Sequence, residues 1–191
     1  MIIKLLKYPF YFLFGIPILL VSFLLTKTTK YVYISEFLSR IPFRFGEVVR
    51  YFFYKNTLAE CGQNVIFNYG CIIANSNSII GSNIRIGVNC IVGNVHLKDN
   101  VIIGQNCHFL SGKNQHHFSR TDIPIREQGG KPLQIAIGPD VYFGASCSVM
   151  ANINKGCVIG AGSVVNKEIP SYSVAVGNPC RVIKSRKGNN E

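Results

Sequence analysis

The chain has 191 residues, enough for one domain and an additional segment. Its 20 lysines and arginines outnumber nine acidic residues, giving a formal net charge of +11. This charge is scattered and no nucleic-acid-binding motif occurs, so a nucleic-acid partner is not expected. Composition divides the chain into an apolar, basic helical segment at 1–58, a repetitive domain at 59–185 and a tail at 186–191.

The N-terminal segment contains an uncharged stretch, Tyr8–Leu25, with lysines on both sides. As a helix it would measure roughly 27 Å, the lower limit for crossing a bilayer. Pro9, Gly15 and Pro17 interrupt it, so a bent or re-entrant hairpin is an alternative to a straight span. We expect this segment to associate with a membrane, and the sequence leaves open whether residues 8–25 span it, re-enter it or lie on it.

Two amphipathic helices are predicted next. The apolar faces are Ile34, Phe37, Leu38 and Ile41 in the first, and Phe45, Val48, Val49, Phe52 and Phe53 in the second. Arg44, Arg50 and Lys55 flank the second face, as expected at an anionic membrane surface. The alternative is that these helices cap the end of the next domain. The basic residues after the uncharged stretch favour a cytoplasmic location for the remainder of the chain, hence the cytoplasmic face of the inner or plasma membrane.

A period of about six residues runs through residues 67–165. Its apolar positions are Phe67, Ile73, Ile80, Ile86, Val92, Leu97, Ile103 and Phe109, then Ile137, Phe143, Val149, Ile153, Ile159 and Val165. Six matches neither the 3.6-residue period of a helix nor the 2-residue period of a strand. It predicts a stacked triangular coil whose short strands each send one bulky side chain inward. Glycine often follows that residue, and we expect it to permit the turn through a positive φ and the lack of a Cβ.

Five of the seven cysteines occupy one kind of slot in this repeat. Cys71, Cys90, Cys107, Cys147 and Cys157 each follow an inward apolar residue by four positions. Reduced cysteine behaves as a small buried hydrophobe. Since no C-x-x-C pair occurs, we expect packing rather than disulfides or metal, and reduced thiols are typical of the cytosol.

The period disappears between Phe109 and Ile135, which predicts a functional loop at 111–134. The loop contains His116 and His117, and histidine is the side chain best suited to take a proton near neutral pH. Two loop carboxylates, Asp122 and Glu127, are candidates to orient an imidazole.

The period, the loop and the ending VIGAGSVVNKEIPSYSVAVGNPCRVI at 158–183 resemble the hexapeptide-repeat acyltransferases over about residues 58–187. The resemblance is closest to the O-acetyltransferases of surface polysaccharides and to the galactoside and maltose acetyltransferases. It implies an all-β repeat fold, the left-handed parallel β-helix. It further implies a homotrimer with acetyl-CoA in grooves between neighbouring subunits, and no metal.

The resemblance also implies the site residues. The polysaccharide-modifying branch often shows Asp-His-x-His-x-(Phe/Tyr), then Ile-Pro-Ile and Gln-Gly. Counted back from Pro124, His116 matches the second histidine, and Asn114 replaces the first. His116 is therefore the implied general base, with His117 as the alternative.

The implied coenzyme-binding residues lie in the later repeats. They are Ala145, whose amide would bind the oxyanion, Ala161 along the pantetheine arm, and Asn166, Lys167, Arg181 and Lys184 at the phosphate end. The predicted reaction is acetyl transfer to a sugar hydroxyl of a surface polysaccharide or of its lipid-linked precursor. Alternatives are N-acetylation of a nucleotide-linked amino sugar, serine O-acetylation, and a non-catalytic trimeric scaffold. The histidine spacing does not resemble that of the metal-dependent carbonic anhydrases that share this scaffold.

Overall fold

The computed structural model describes residues 11–187, and it begins with a helical cap. A π-helical turn at Tyr11–Gly15 leads into helix α1 (Ile16–Leu25), and α2 (Tyr31–Ser39) and α3 (Phe43–Thr57) follow. Tyr8 and Pro9 of the predicted uncharged stretch, and residues 188–191 of the predicted tail, lie outside the described residues. Within 11–187, no helix combines the length and apolarity that a bilayer crossing requires.

The rest of the described chain is a stack of short strands. Their bounds are β1 Glu60–Cys61, β2 Val65–Phe67, β3 Ile72–Ile73, β4 Ile79–Ile80, β5 Ile84–Ile86, β6 Ile91–Val92, β7 Val95–Leu97, β8 Ile102–Ile103, β9 His108–Phe109, β10 Ile135–Ile137, β11 Tyr142–Phe143, β12 Ser148–Val149, β13 Val158–Ile159, β14 Val164–Val165, β15 Ser173–Val176 and β16 Arg181–Ser185. They form three sheets, ordered β1-β4-β7-β10, β2-β5-β8-β11-β13-β15-β16 and β3-β6-β9-β12-β14. Only the last pair, β15 with β16, is antiparallel among these strands.

The strand order shows a triangular coil of about six turns, which confirms the predicted parallel β-helix. Each of the first four turns contributes one strand to each sheet, and the inward residues of successive turns stack in register, as Ile86 does on Ile103 and Ile103 on Phe143. Ile153 follows Val149 by only four residues, yet it still forms parallel β-bridges with Ile137 and Ile169 of the neighbouring turns. The predicted inward residues are buried and form one continuous core.

Of the two reasons predicted for the corner glycines, the positive φ is wrong and the lack of a Cβ is confirmed. Gly104 and Gly144, which follow inward residues, do not have a positive φ; the left-handed positions are Asn106 and Ser146, two residues later. Gly104 and Gly144 are needed because an added Cβ would lie 2.7 Å from the Ala145 nitrogen and 2.5 Å from the Ala161 nitrogen. The coils therefore stack too closely at these corners for any side chain.

The helices α2 and α3 cap the first turn of the coil, so the capping alternative holds for the second amphipathic helix. Phe53 and Tyr54 of α3 are buried, and the Tyr54 ring centroid lies 4.6 Å from that of Phe67. The Ser35 hydroxyl accepts a hydrogen bond from the Ile73 amide at 3.0 Å, which satisfies a group at the end of the third sheet.

Two predictions about the cap helices are wrong. Arg50 does not flank an exposed basic face, because it is fully buried and donates hydrogen bonds to backbone carbonyls. Phe37 does not share the buried face of Ile34 and Leu38, since 62% of it is exposed. Helical periodicity does not report which groups each face meets, so it predicts neither the carbonyl partners of Arg50 nor the exposure of Phe37.

The cysteine slots are buried, as predicted. All five thiols lie in the core, and burial raises the pKa of Cys71 to about 12. The slot also has a polar role, because the Cys90 and Cys147 thiols donate to the carbonyls of Gly104 and Gly160 in the next turn, at 3.1 and 3.2 Å.

Candidate active site

The loop after β9 folds as a narrow ribbon that leaves the edge between the third and first sheets. Its two arms are joined by three backbone hydrogen bonds, in which the amides of Leu133, Lys131 and His117 donate to the carbonyls of Ser111, Asn114 and Gly129 at 2.7–2.9 Å. A 3₁₀ turn at Ile125–Glu127 lies near the tip. The loop is therefore an ordered extension of the third turn of the coil.

Gly130 and Gln128 fix the shape of this ribbon. A Cβ at Gly130 would lie 1.8 Å from the Gln115 carbonyl oxygen and 3.0 Å from the His116 Cα, so the arms touch at the histidines. The Gln128 amide nitrogen donates to the Arg120 carbonyl at 2.7 Å, and its oxygen accepts from the Arg120 amide at 3.1 Å. Gly130 was missed as a positioning residue, although the Gly-Gly pair at 129–130 was a visible signal.

Both imidazoles are exposed at this narrow point. Across residues 11–187, no side chain or carbonyl hydrogen-bonds to the ring of His116 or His117. The loop carboxylates do not orient either ring, because Asp122 pairs with Arg120 and Glu127 with Arg126. Either imidazole is therefore free to accept a proton from a ligand.

A second set of groups lies at the corner between the second and third sheets. The amide N–H groups of Ala145 and Ala161 donate no hydrogen bond within the described chain, whereas the Ala145 carbonyl accepts one from Gly162 at 2.8 Å. Larger side chains occupy this corner in earlier turns, such as Val88 and Gln105. The amides at these earlier positions are also unpaired, so what the change to alanine adds is a corner where a ligand can approach two such donors closely.

Asn166 and Lys167 line a cavity of about 450 Å³ beside the base of the loop. Lys113 and Asn114 of the loop form its opposite wall, and Met150 forms part of its floor. The Asn166 side-chain oxygen is buried and accepts no hydrogen bond from the described residues. The residues that line the cavity therefore include two lysines, Lys113 and Lys167, and one acid, Glu168, beside Asn166.

Arg181 and Lys184 lie on β16, the exposed last strand of the second sheet. Neither they nor Lys167 form an ion pair with any carboxylate in residues 11–187. In the same range, no three His, Cys, Asp or Glu side chains cluster as metal ligands.

One subunit brings together only part of the predicted site. The loop base meets Asn166 and Lys167 at the edge between the third and first sheets, whereas Ala145 and Ala161 line the edge between the second and third. His116 and the two free amides thus belong to different edges of the same triangular coil.

No protein-family model matches this chain. A Saccharomyces cerevisiae protein designated an acetyltransferase is 33% identical over 142 residues, covering 68% of this chain and 67% of that protein. A Staphylococcus aureus protein of the same designation is 39% identical over 116 residues, covering 51% of this chain and 57% of its own length. The match to a Mycobacterium tuberculosis relative covers 31% of that protein, so the chain spans about a third to just over half of these bacterial relatives.

Solved structures share the fold. A maltose O-acetyltransferase from Clostridium difficile 630 is 25% identical with a TM-score of 0.63, over 85% of this chain and 88% of that one. A galactoside acetyltransferase in complex with coenzyme A is 24% identical with a TM-score of 0.63, over 85% and 82%. AntD, an N-acyltransferase from Bacillus cereus in complex with dTDP and coenzyme A, is 23% identical with a TM-score of 0.60, over 69% and 75%.

Proposed function

The chain belongs to the hexapeptide-repeat acyltransferases, with their left-handed parallel β-helix, and on that basis we propose that it transfers acetyl from acetyl-CoA to a sugar hydroxyl. The proposed acceptor is a surface polysaccharide or its lipid-linked precursor. The observation that carries the proposal is the exposed His116 on a rigid ribbon, in a coil whose next turns expose the unpaired amides of Ala145 and Ala161.

His116 acts as the general base in this mechanism. A sugar hydroxyl is a weak nucleophile until a base removes its proton during attack. The free imidazole of His116 accepts that proton as the hydroxyl oxygen forms its bond to the thioester carbon. When the carbon–sulfur bond breaks, the same proton passes to the CoA thiolate. The step balances without a covalent enzyme intermediate, and His117 is the alternative base.

Ala145 stabilises the charge that develops on the carbonyl oxygen. A backbone N–H that is already free and fixed by the coil donates to the oxyanion without reorganisation. Gly144 packs directly on Ala161 of the next turn. Because Gly144 has no Cβ, the two turns lie close together and hold the corner that carries the Ala145 amide in place.

The same residues fit coenzyme A. The free amide of Ala161 suits an amide carbonyl of the pantetheine arm, and the unpaired charges of Lys167, Arg181 and Lys184 suit its phosphates. The buried side-chain oxygen of Asn166 accepts no hydrogen bond from the described residues, so it suits a hydrogen-bond donor of the ligand. We therefore propose acetyl-CoA as the co-substrate.

We also propose a homotrimer as the active form. In one subunit His116 and Ala145 belong to different edges of the coil. Side-by-side packing of triangular coils sets the loop edge of one copy against the free-amide edge of the next. The complete site would then contain the histidine of one subunit and the amides of its neighbour.

The helical cap supports a membrane location. Its first helix exposes an apolar face, and basic residues follow it. Acetyl-CoA and reduced thiols both belong to the cytosol, so we place the protein at the cytoplasmic face of the inner or plasma membrane.

N-acylation of a nucleotide-linked amino sugar is the second candidate, favoured by the fold similarity to AntD. The same His116 would deprotonate an ammonium or amine. The loop geometry fits an amine and a hydroxyl equally well, so the two reactions are distinguished by their products. Mild alkali cleaves an O-acetyl ester and leaves an amide intact.

The test follows release of CoA thiol from acetyl-CoA, with saccharide fractions from the source cells as acceptors. We expect His116→Ala to lower kcat by about 10²-fold or more, the contribution of a general base, while binding of CoA by calorimetry is unchanged. His96→Ala, on β7 and outside the loop, is the matched control and should keep full activity.

His117→Ala distinguishes the two histidines. Loss of turnover in His117→Ala alone would transfer the role of base to His117. Full activity in both single variants and in the double variant would refute base catalysis by this loop.

A further inference from the structure

The helical cap has two layers, and α1 is the outer one. Helices α2 and α3 contact the strands of the first turn, β1, β2 and β3. Helix α1 instead packs on α3, where Phe23 stacks on Phe53 with ring centroids 5.8 Å apart. The outer side of α1 is therefore the end surface of the β-helix, opposite the end formed by β16.

The outer side of α1 is entirely apolar. Its large exposed residues, here called the outer stripe, are Leu13, Phe14, Ile16, Leu20, Val21, Leu24 and Leu25, with 43–68% of each exposed. Ser22 and Phe23 on the opposite side face the cap. A contiguous apolar surface of this kind marks an interaction site rather than ordinary surface.

A strained aromatic residue belongs to the same cap. Phe43 begins α3 with a φ of 62°, a conformation that a bulky residue rarely adopts, and 86% of it is exposed. Folding thus holds a large ring in water at a conformational cost. Phe37 of α2 is also 62% exposed. Phenylalanine is among the residues typical of the apolar face of helices that lie in the membrane interface.

The charges of the cap favour one occupant. Between residues 11 and 46 the chain has Lys27, Lys30, Arg40 and Arg44 but only one acid, Glu36. A second copy of the chain would set like charges against each other. Anionic lipid headgroups complement them and also accept the apolar stripe below the headgroup level.

We propose that the outer stripe lies in the interface of an anionic membrane and that the acceptor is a lipid-linked saccharide in that same membrane. The first part concerns the cap alone. The second part rests on the acetyl transfer proposed above, and it selects the lipid-linked precursor over a finished, released polysaccharide.

The position of the loop supports this acceptor. The loop leaves the third turn of the coil, about 10 Å from the first at the usual spacing of about 4.8 Å between strands. Two helix layers at about 8–10 Å each separate the coil from the outer stripe. With α1 inserted about 5–10 Å into the interface, His116 leaves the coil roughly 20 Å above the lipid. A saccharide carried on lipid reaches this height, whereas the headgroup of an ordinary phospholipid does not.

Flotation with vesicles tests the cap. The full chain should float with vesicles of phosphatidylcholine and phosphatidylglycerol, and more weakly with phosphatidylcholine alone. The double variant Leu20→Gln, Leu24→Gln should reduce the vesicle-bound fraction roughly tenfold or more. Both side chains are exposed, so the substitutions remove apolar surface that transfers from water into the membrane and leave the packing within the cap unchanged. The matched control is Val182→Gln with Ile183→Gln, two exposed aliphatic residues at the opposite end, which should bind as wild type. The membrane assignment would be overturned if the two double variants bound vesicles equally. It would also be overturned if light scattering showed that the outer stripe mediates only self-association.

Labelled acetyl-CoA tests the acceptor. Membranes of the source cells are extracted into organic solvent, and the lipid extract and the water-soluble saccharides are offered separately to wild type and His116→Ala. Label should enter the lipid extract in a His116-dependent manner and move to a water-soluble product after release of the saccharide from lipid. Label found only in water-soluble saccharides would refute the lipid-linked acceptor but keep the transferase. No His116-dependent label in either fraction would refute the proposed function itself.

Discussion

Arg50 provides the most direct test of how the cap and the coil are joined. Its guanidinium is fully buried between α2, α3 and β2 with no carboxylate partner in the described chain. Nε donates to the Phe67 carbonyl at 2.9 Å, and Nη1 to the Leu38 and Ile41 carbonyls at 3.0 and 2.8 Å. Leu38 lies in the last turn of α2, where a cation also meets the negative end of the helix dipole. Arg50→Met keeps much of the buried stem and removes all of these donors.

The expected loss of stability follows from the groups left behind. A buried carbonyl without a donor costs about 1–3 kcal/mol, and this variant leaves two, Phe67 and Ile41, because the Leu38 carbonyl still accepts from the Ile41 amide at 3.3 Å. Removal of the guanidinium returns its desolvation penalty, which is visible in the lowered pKa of Arg50 and its partnerless Nη2. The net destabilisation should therefore be about 3 kcal/mol, below the simple sum of about 4 kcal/mol for two carbonyls. For a chain of this size that corresponds to a decrease in Tm of about 6–12 °C.

The assay is thermal unfolding at one fixed protein concentration, because subunit association would make Tm concentration-dependent. Arg85→Met, an exposed arginine on β5 without an ion pair in the described residues, is the control and should change Tm by less than about 2 °C. Arg50→Lys should fall between the two, since one ammonium cannot reach carbonyls on three elements. A Tm for Arg50→Met equal to that of the control would refute the argument that Arg50 joins cap and coil.

Two further predictions concern the loop and the core. Gly130→Ala should lower kcat by about tenfold or more with little change in Tm, because its Cβ meets the Gln115 carbonyl and displaces His116. The control is Gly129→Asn, at a position with a φ of +72° and open space around it. Equal activity in the two variants would contradict the positioning role of Gly130. Stability should decrease as pH rises above about 9, the usual pKa of an unfolded thiol, because burial raises the pKa of Cys71 to about 12 and of Cys61 to about 11, so that both bind a proton more tightly when folded. A Tm that is constant from about pH 8 to pH 11 would contradict this.

The coil was predictable because its period is a direct physical constraint. Each turn must bury one residue per strand, so the positions from Phe67 to Val165 repeat whatever their neighbours do. The cysteine slots followed from the same rule. The need for a missing Cβ at the corner glycines followed too, but the atoms that a Cβ would meet did not, because the distance between Gly144 and Ala161 depends on how two turns stack and not on either turn alone.

The cap was only partly predictable, for a different reason. Helical periodicity identified Val49 and Phe53 as buried, but it assigned Arg50 to the surface. The partners of Arg50 are backbone carbonyls, which every residue has and which no sequence pattern reveals. A buried arginine of this kind becomes visible only when the ends of α2 and β2 are brought together in three dimensions.

The candidate site follows from the interruption of the repeat. A repeating turn presents the same groups at every level, so it cannot by itself place a base opposite an oxyanion donor. The insertion after Phe109 adds His116 at one edge, and the small side chains of Ala145 and Ala161 open two unpaired amides to close approach at another. A triangular coil keeps these edges apart within one subunit, and the proposed homotrimer would bring the two edges of neighbouring copies to one ligand. Loss of assembly should therefore abolish turnover even where His116 and its ribbon remain intact.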